Sequence, residues 1–136
     1  MLKKTVTYTD YNGNERTEDH YFNLNKAELM ELEMSVDGGL TTMIKRISSA
    51  LDGPSIMKVF KDILMKSYGI KSDDGRRFIK SEEISTAFSQ TEAYSIIFME
   101  LITDAEASAK FIEGIIPPDA AKELAKMDKD EVMKLV

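Results

Sequence analysis

The chain holds one histidine, His20, and no cysteine. Nucleophilic catalysis needs a nucleophile beside a base, and common zinc sites draw on several His or Cys side chains. A single imidazole on what reads as a β-strand supplies neither. No catalytic, cofactor-binding or metal-ligating residue is therefore assigned. Two acidic loops invite a calcium reading, and both fail it. With Gly75 at the sixth position of an EF-hand loop, Ile70 falls first and Ser81 last, where an acidic ligand is needed. With Gly13 in that position, Tyr8 falls first and Asp19 last. Both loops are better read as hairpin turns. No glycine-rich phosphate cradle is present. The acidic pairs Glu82-Glu83 and Asp73-Asp74 sit at a helix start and a turn, where negative charge needs no catalytic purpose.

Composition narrows the function classes further. A net charge of −6 over 136 residues opposes sequence-independent nucleic-acid binding, which relies on Lys and Arg to neutralise phosphates. The local basic groups Lys58-Lys61-Lys66 and Arg76-Arg77 read first as solvated faces. The start, Met1 to Thr7, lacks the apolar region of a signal peptide. The most apolar stretch, residues 93–102, is far shorter than the roughly 20 residues that span a bilayer. The reading is a soluble, unexported protein with no membrane and no nucleic acid among its partners, in a reducing cytoplasm.

The elements follow from periodicity. Val6 and Tyr8 alternate with Thr5, Thr7 and Thr9, as on a half-buried strand. Asn12-Gly13 suits a hairpin turn. A return strand over residues 16–24 puts His20, Phe22 and Leu24 on one face. The register stays open, because Tyr11-Asn12-Gly13-Asn14 permits more than one loop length. Helical spacing then begins. Asn25 with Glu28 forms a capping box for a helix to about residue 36, carrying Leu29, Leu32 and Val36 and ended by Gly38-Gly39. A second helix is expected over residues 41–51. A third spans residues 55–68 behind Pro54, with Ile56, Val59, Phe60, Ile63 and Leu64 inward. Residues 70–80 read as a turn with short extended flanks centred on Asp74-Gly75. Ser81 caps a short helix to about residue 88. A longer helix starts near Thr91, with Ser89 and Glu92 as its capping pattern. Thr103 with Glu106 repeats that pattern before a helix over residues 105–115. Pro117-Pro118 ends the run. The fold class is mainly α: about six helices with an N-terminal β-hairpin, α+β by strict count. Residues 1–118 form one domain, divided into a hairpin (1–24) and a helical body (25–118). Residues 119–136 form a charged tail with some helical potential.

The positive signal is the stretch 93–102, where apolar side chains go nearly all the way round a helix. Such a helix must be enclosed on most sides, by its own domain or by a partner. Ile96 and Met99, or the Tyr94-Phe98 edge, are the candidates for contact with another chain. Nine methionines fit adaptable packing. The function class indicated is protein binding, with no enzymatic role.

Several runs carry a family resemblance. They are Tyr21-Phe22-Asn23-Leu24-Asn25-Lys26-Ala27-Glu28-Leu29, Lys66-Ser67-Tyr68-Gly69, Asp74-Gly75-Arg76-Arg77-Phe78-Ile79-Lys80-Ser81, Thr91-Glu92-Ala93-Tyr94-Ser95 and Gly114-Ile115-Ile116-Pro117. Together they span residues 21–117, and the ordered set resembles the tail assembly chaperones of long-tailed phages and Gram-positive prophages. The resemblance implies a non-enzymatic protein that binds the tape-measure protein and recruits tail-tube subunits. It implies production in two forms, the longer by ribosomal frameshifting, with this chain the shorter. It implies action in the bacterial host cytoplasm and absence from the mature virion. Many copies would be needed, which suits self-association. A structural adaptor of the head–tail or tail-terminator kind is the alternative. The Arg76, Arg77 and Phe78 loop is the expected contact patch, since two fixed charges beside an aromatic suit an interface anchor. Against it stands a structural reading, with Arg76 and Arg77 paired to Asp73, Asp74, Glu82 or Glu83 and Phe78 in the core. Tyr94, Phe98 and Met99 complete the partner-binding set.

Overall fold

The N-terminal hairpin forms as alternation requires. β1 (Leu2–Thr9) pairs antiparallel with β2 (Glu15–Phe22), from Leu2↔Phe22 to Thr9↔Glu15. That register leaves a three-residue loop, Tyr11-Asn12-Gly13, in place of a two-residue Asn-Gly turn. The Gly13 amide donates to the Asp10 carbonyl at 2.9 Å, and Gly13 takes φ 83°, where a side chain would be strained. The Asp10 carboxylate fixes the loop by accepting from the Asn12 and Asn14 amides, each at 2.9 Å. The second acidic loop is built on the same plan. Asp74 accepts from the Ser72 hydroxyl at 2.7 Å and the Arg76 amide at 3.0 Å, and Gly75 takes φ 74°. Both carboxylates are thus spent on turn geometry.

The computed structural model describes residues 1–35 and 53–119. The remaining elements are α1 (Lys26–Ser35), α2 (Gly53–Ser67), β3 (Tyr68–Lys71), β4 (Phe78–Ile79), α3 (Glu82–Ser89), α4 (Glu92–Thr103) and α5 (Ala105–Ile115). The expected helix over 41–51, the Gly38-Gly39 stop, the Leu32 and Val36 stripe positions and the tail beyond Asp119 lie outside the described residues or side chains.

The strict α+β count of the expected elements holds, with a larger sheet than the hairpin alone. The flanks of the Asp74-Gly75 turn are strands that join the hairpin in one antiparallel sheet of order β1-β2-β3-β4. With five helices among the described residues, the fold is mixed α+β. The extended flanks were visible in sequence, but their partner was not, because β3 pairs with β2 at Tyr21↔Gly69 and Phe22↔Tyr68, far along the chain.

The helices pack on the sheet face carrying Val6, His20 and Phe22. Phe22 is the hub: its ring meets Phe111 at 5.2 Å and Phe88 at 5.8 Å between centroids. Phe60, Leu64, Ile97, Leu101 and Ile115 are buried around it. Val59, Phe60, Ile63 and Leu64 of α2 face inward, as their spacing predicts. The opposite sheet face is a polar ladder. There Thr5 donates to Asp19 at 2.6 Å, and Thr7 and Thr17 share a hydrogen bond of 2.9 Å.

Helix starts follow side-chain chemistry. The capping box at α1 is present: the Glu28 amide donates to Asn25 Oδ1 at 2.8 Å, and the Asn25 amide donates to Glu28 Oε1 at 3.0 Å. Ser81 caps α3 through the Ile84 amide at 3.1 Å. Two other expected caps are corrected by one or two positions. Thr91, not Ser89, caps α4, and Asp104, not Thr103, caps α5. The displaced hydroxyls instead donate to preceding carbonyls, Ser89 to Thr86 at 2.7 Å and Thr103 to Met99 at 2.6 Å.

Candidate partner-binding surface

α4 is positioned by contacts with β1, α2, α3 and α5. Ala93, Ile97 and Leu101, at i, i+4 and i+8, form its buried stripe. Tyr94, Phe98 and Ile102 follow round the helix and are half-buried against the core. Tyr94 stacks on Phe98 at 5.9 Å and meets Phe88 edge-on at 5.6 Å, and burial pushes its phenol pKa upward. The enclosure predicted from all-round apolarity is therefore incomplete. Ile96 is 43% exposed and Met99 50% exposed on the remaining side. Of the two edges considered, the Tyr94-Phe98 edge packs on its own domain, and the Ile96-Met99 edge faces outward.

The Arg76, Arg77 and Phe78 loop lies elsewhere, on the β3–β4 hairpin. Arg76 and Arg77 are exposed, and among the described residues neither makes an ion pair. The expected pairing with Asp73, Asp74, Glu82 or Glu83 is not formed among the described residues; Asp74 instead accepts from the Arg76 amide and the Ser72 hydroxyl. Phe78 behaves differently. It is half-buried on the solvent side of the sheet, with its ring against the backbone of Gly69, and it lies outside the core cluster. Lys80 sits over that ring at 5.5 Å, donates to the Asn23 carbonyl, and pairs with Glu28. Phe78 thus covers a bare stretch of strand rather than projecting as an anchor.

His20 is 8% exposed, set between Phe88 at 5.3 Å and Tyr68 at 6.3 Å. Burial pushes its pKa below the ordinary 6.5, against the weaker opposing pull of Glu18 and Asp19. The ring is held neutral at pH 7, and its Nε2 has no hydrogen-bond partner among the described residues. No hydroxyl nucleophile contacts it among the hydrogen bonds described. Among the described residues no three His, Asp or Glu side chains are grouped so as to hold a metal ion, and no helix is long and apolar enough to cross a membrane.

The outward edge of α4 is apolar, and the β3–β4 hairpin presents two exposed arginines. The family model of phage tail assembly chaperones matches residues 1–134. The chain belongs to that family. The match includes the β1–β2 hairpin, which lies mostly upstream of the residues carrying the resemblance, so the sheet is part of the tail assembly chaperone and not an appendage. No curated protein and no solved structure matches the chain. For a tail assembly chaperone, the surfaces of interest are those that can meet phage tail proteins, and the outward edge of α4 exposes Ile96 and Met99 on a helix of the core.

Proposed function

We propose that this tail assembly chaperone binds the tape-measure protein, keeps it soluble, and recruits tail-tube subunits around it, without enzymatic activity. The supporting observation is the exposed Ile96-Met99 edge of a core helix in a chain belonging to this family. A long helical partner with bare apolar faces needs a complementary apolar surface, and helix-in-groove binding buries such faces at i, i+3, i+4 spacing. Met99 adds a side chain that adapts to irregular partners. Arg76 and Arg77 supply fixed charge at a second contact, with Phe78, Tyr94 and Phe98 holding the surfaces that present them. The chain acts in the host cytoplasm as the shorter of two forms, associates with further copies and with the longer form, and leaves before the virion matures.

Co-expression with the tape-measure and tail-tube proteins of the same phage, followed by pull-down, tests this reading. The expected result is a soluble tape-measure complex that is lost when the chaperone is omitted. Unchanged tape-measure solubility and no complex would refute it. Mass spectrometry of purified virions separates the structural-adaptor alternative, which requires stoichiometric presence in the particle.

A further inference from the structure

β1 is the outer strand of the sheet: β2 lies along one side of it, and among the described residues no strand lies along the other. Which backbone groups face that open side follows from the turn. The Asp10 amide donates to the Asn14 carbonyl at 2.8 Å, so Asp10 and Asn14 form a hydrogen-bonded pair that continues the β1–β2 register. Hydrogen-bonded and non-hydrogen-bonded pairs alternate along an antiparallel ladder. Leu2, Lys4, Val6 and Tyr8 therefore turn their N–H and C=O groups to β2, and Lys3, Thr5, Thr7 and Thr9 turn theirs outward. The side chains agree, since Thr5 bonds to Asp19 and Thr7 to Thr17 at the pairs where the backbones do not bond. All four outward residues are exposed. Soluble proteins usually blunt such an edge with proline, a bulge, short length or an inward charge. β1 has 8 residues, no proline and an unbroken register with β2, and Lys4 on its helix-facing side is neutralised by Glu100 at 2.9 Å.

We infer that β1 pairs antiparallel with β1 of a second copy, about a twofold axis at Val6. A twofold contact needs a self-matching edge, in which residue i meets j and j meets i. The register centred on Val6 is the one that returns the outward set to itself, with Lys3 opposite Thr9 and Thr5 opposite Thr7 in both directions. The outward backbone groups of both copies are then bonded, and the threonine ladder of the polar face runs on across the axis. Charge favours the same occupant. Glu15 stands opposite Thr9 within the hairpin, so Lys3 lies one strand away from the second copy's Glu15 on the same exposed face. No two like charges stand directly opposite each other across the axis. This contact gives a surface to the association with further copies proposed above, on which it rests. It is separate from the Ile96-Met99 edge.

The test uses the full chain, followed by sedimentation and by amide hydrogen exchange as its concentration is raised. The expected result is a monomer–dimer equilibrium in which the Lys3, Thr5, Thr7 and Thr9 amides exchange fast when dilute and slowly when concentrated. The Lys4, Val6 and Tyr8 amides, bonded to β2, should exchange slowly throughout. Thr9→Lys sets a lysine opposite Lys3 of the second copy and should weaken the dimer about tenfold. Within its own hairpin position 9 faces Glu15, so the same change should not destabilise the fold. Adding Lys3→Glu restores opposite charges and should recover association. Thr7→Pro removes an outward N–H and should abolish it. A chain that stays monomeric at every concentration would overturn the proposal, and a foreign strand as the true occupant would give that result. So would outward amides that are already slow in the monomer, since the chain would then cover its own edge. A dimer protected elsewhere, or one indifferent to Thr9→Lys and Thr7→Pro, would overturn it too. The dimer needs no tape-measure protein and the pull-down needs no dimer, so either reading can fail alone.

Discussion

Phe78 and His20 show how far a residue's type can stand from its task. Phe78 looked like an interface anchor, yet its ring occupies the space a side chain at position 69 would need. A Cβ on Gly69 would lie 2.7 Å from Phe78 Cε2 and 3.0 Å from the Ile79 carbonyl oxygen. Gly69→Ala is therefore expected to destabilise the fold by about 1–3 kcal/mol in urea unfolding. Adding Phe78→Ala should make the second change less costly than it is alone, because the two positions share one contact. A fully additive pair would mean that the contact is not what constrains Gly69. His20 carries a pH signature instead. Its folded pKa lies below 6.5, so the unfolded chain takes up the proton more readily. The stabilising contribution is complete above 6.5 and is lost as pH falls through the lower folded value. Glu18 and Asp19 on β2 oppose the shift, and Glu83 on α3 lines the same pocket as His20. His20→Leu should remove the fall in stability just below pH 6.5, seen in urea midpoints across pH. Asp10 and Asp74, whose pKa values lie below 3.8, act only in more acid solution and should leave their own slope intact.

Among the elements, helix boundaries are decided by which oxygen reaches the first free amides. Asp104 accepts from the Glu106 amide at 3.0 Å and the Ala107 amide at 3.2 Å, whereas Thr103 is turned back to the Met99 carbonyl. Asp104→Ala should cost about 1 kcal/mol of stability, with Thr103→Ala well below that, both read by chemical denaturation. The reverse order would restore Thr103 as the cap. Sequence spacing located α2 because it carries an apolar stripe with a 3.6-residue period, and it placed the Asn25–Glu28 box correctly because both partners are local. It misplaced two caps because several hydroxyl and carboxylate side chains stand side by side at each junction, and their choice depends on backbone geometry. The third and fourth strands were hidden for a different reason. A two-residue strand such as Phe78–Ile79 has no period to read; it pairs with β3, and β3 joins the sheet only through Tyr21 and Phe22 of β2, far earlier in the chain.

Across the whole molecule, the stretch 93–102 advertised that it needed enclosure but not from which side. Only assembly of the fold distinguishes the edges, since β1, α2, α3 and α5 surround Ala93, Ile97 and Leu101 and leave Ile96 and Met99 outward. This separation of edges allows binding to be tested apart from folding. Ile96→Ser with Met99→Ser removes exposed apolar surface, and such substitutions typically shift stability by only about 0.5 kcal/mol. Ile97→Ser, one position along, places a hydroxyl in a fully buried site and should cost several times as much. The double variant should therefore unfold with near-native urea dependence yet fail to keep the tape-measure protein soluble on co-expression. A double variant that folds normally and still solubilises the tape-measure protein would remove the outward edge of α4 from the binding surface. The Arg76-Arg77 loop would then be the next surface to test, by Arg76→Glu with Arg77→Glu in the same assay.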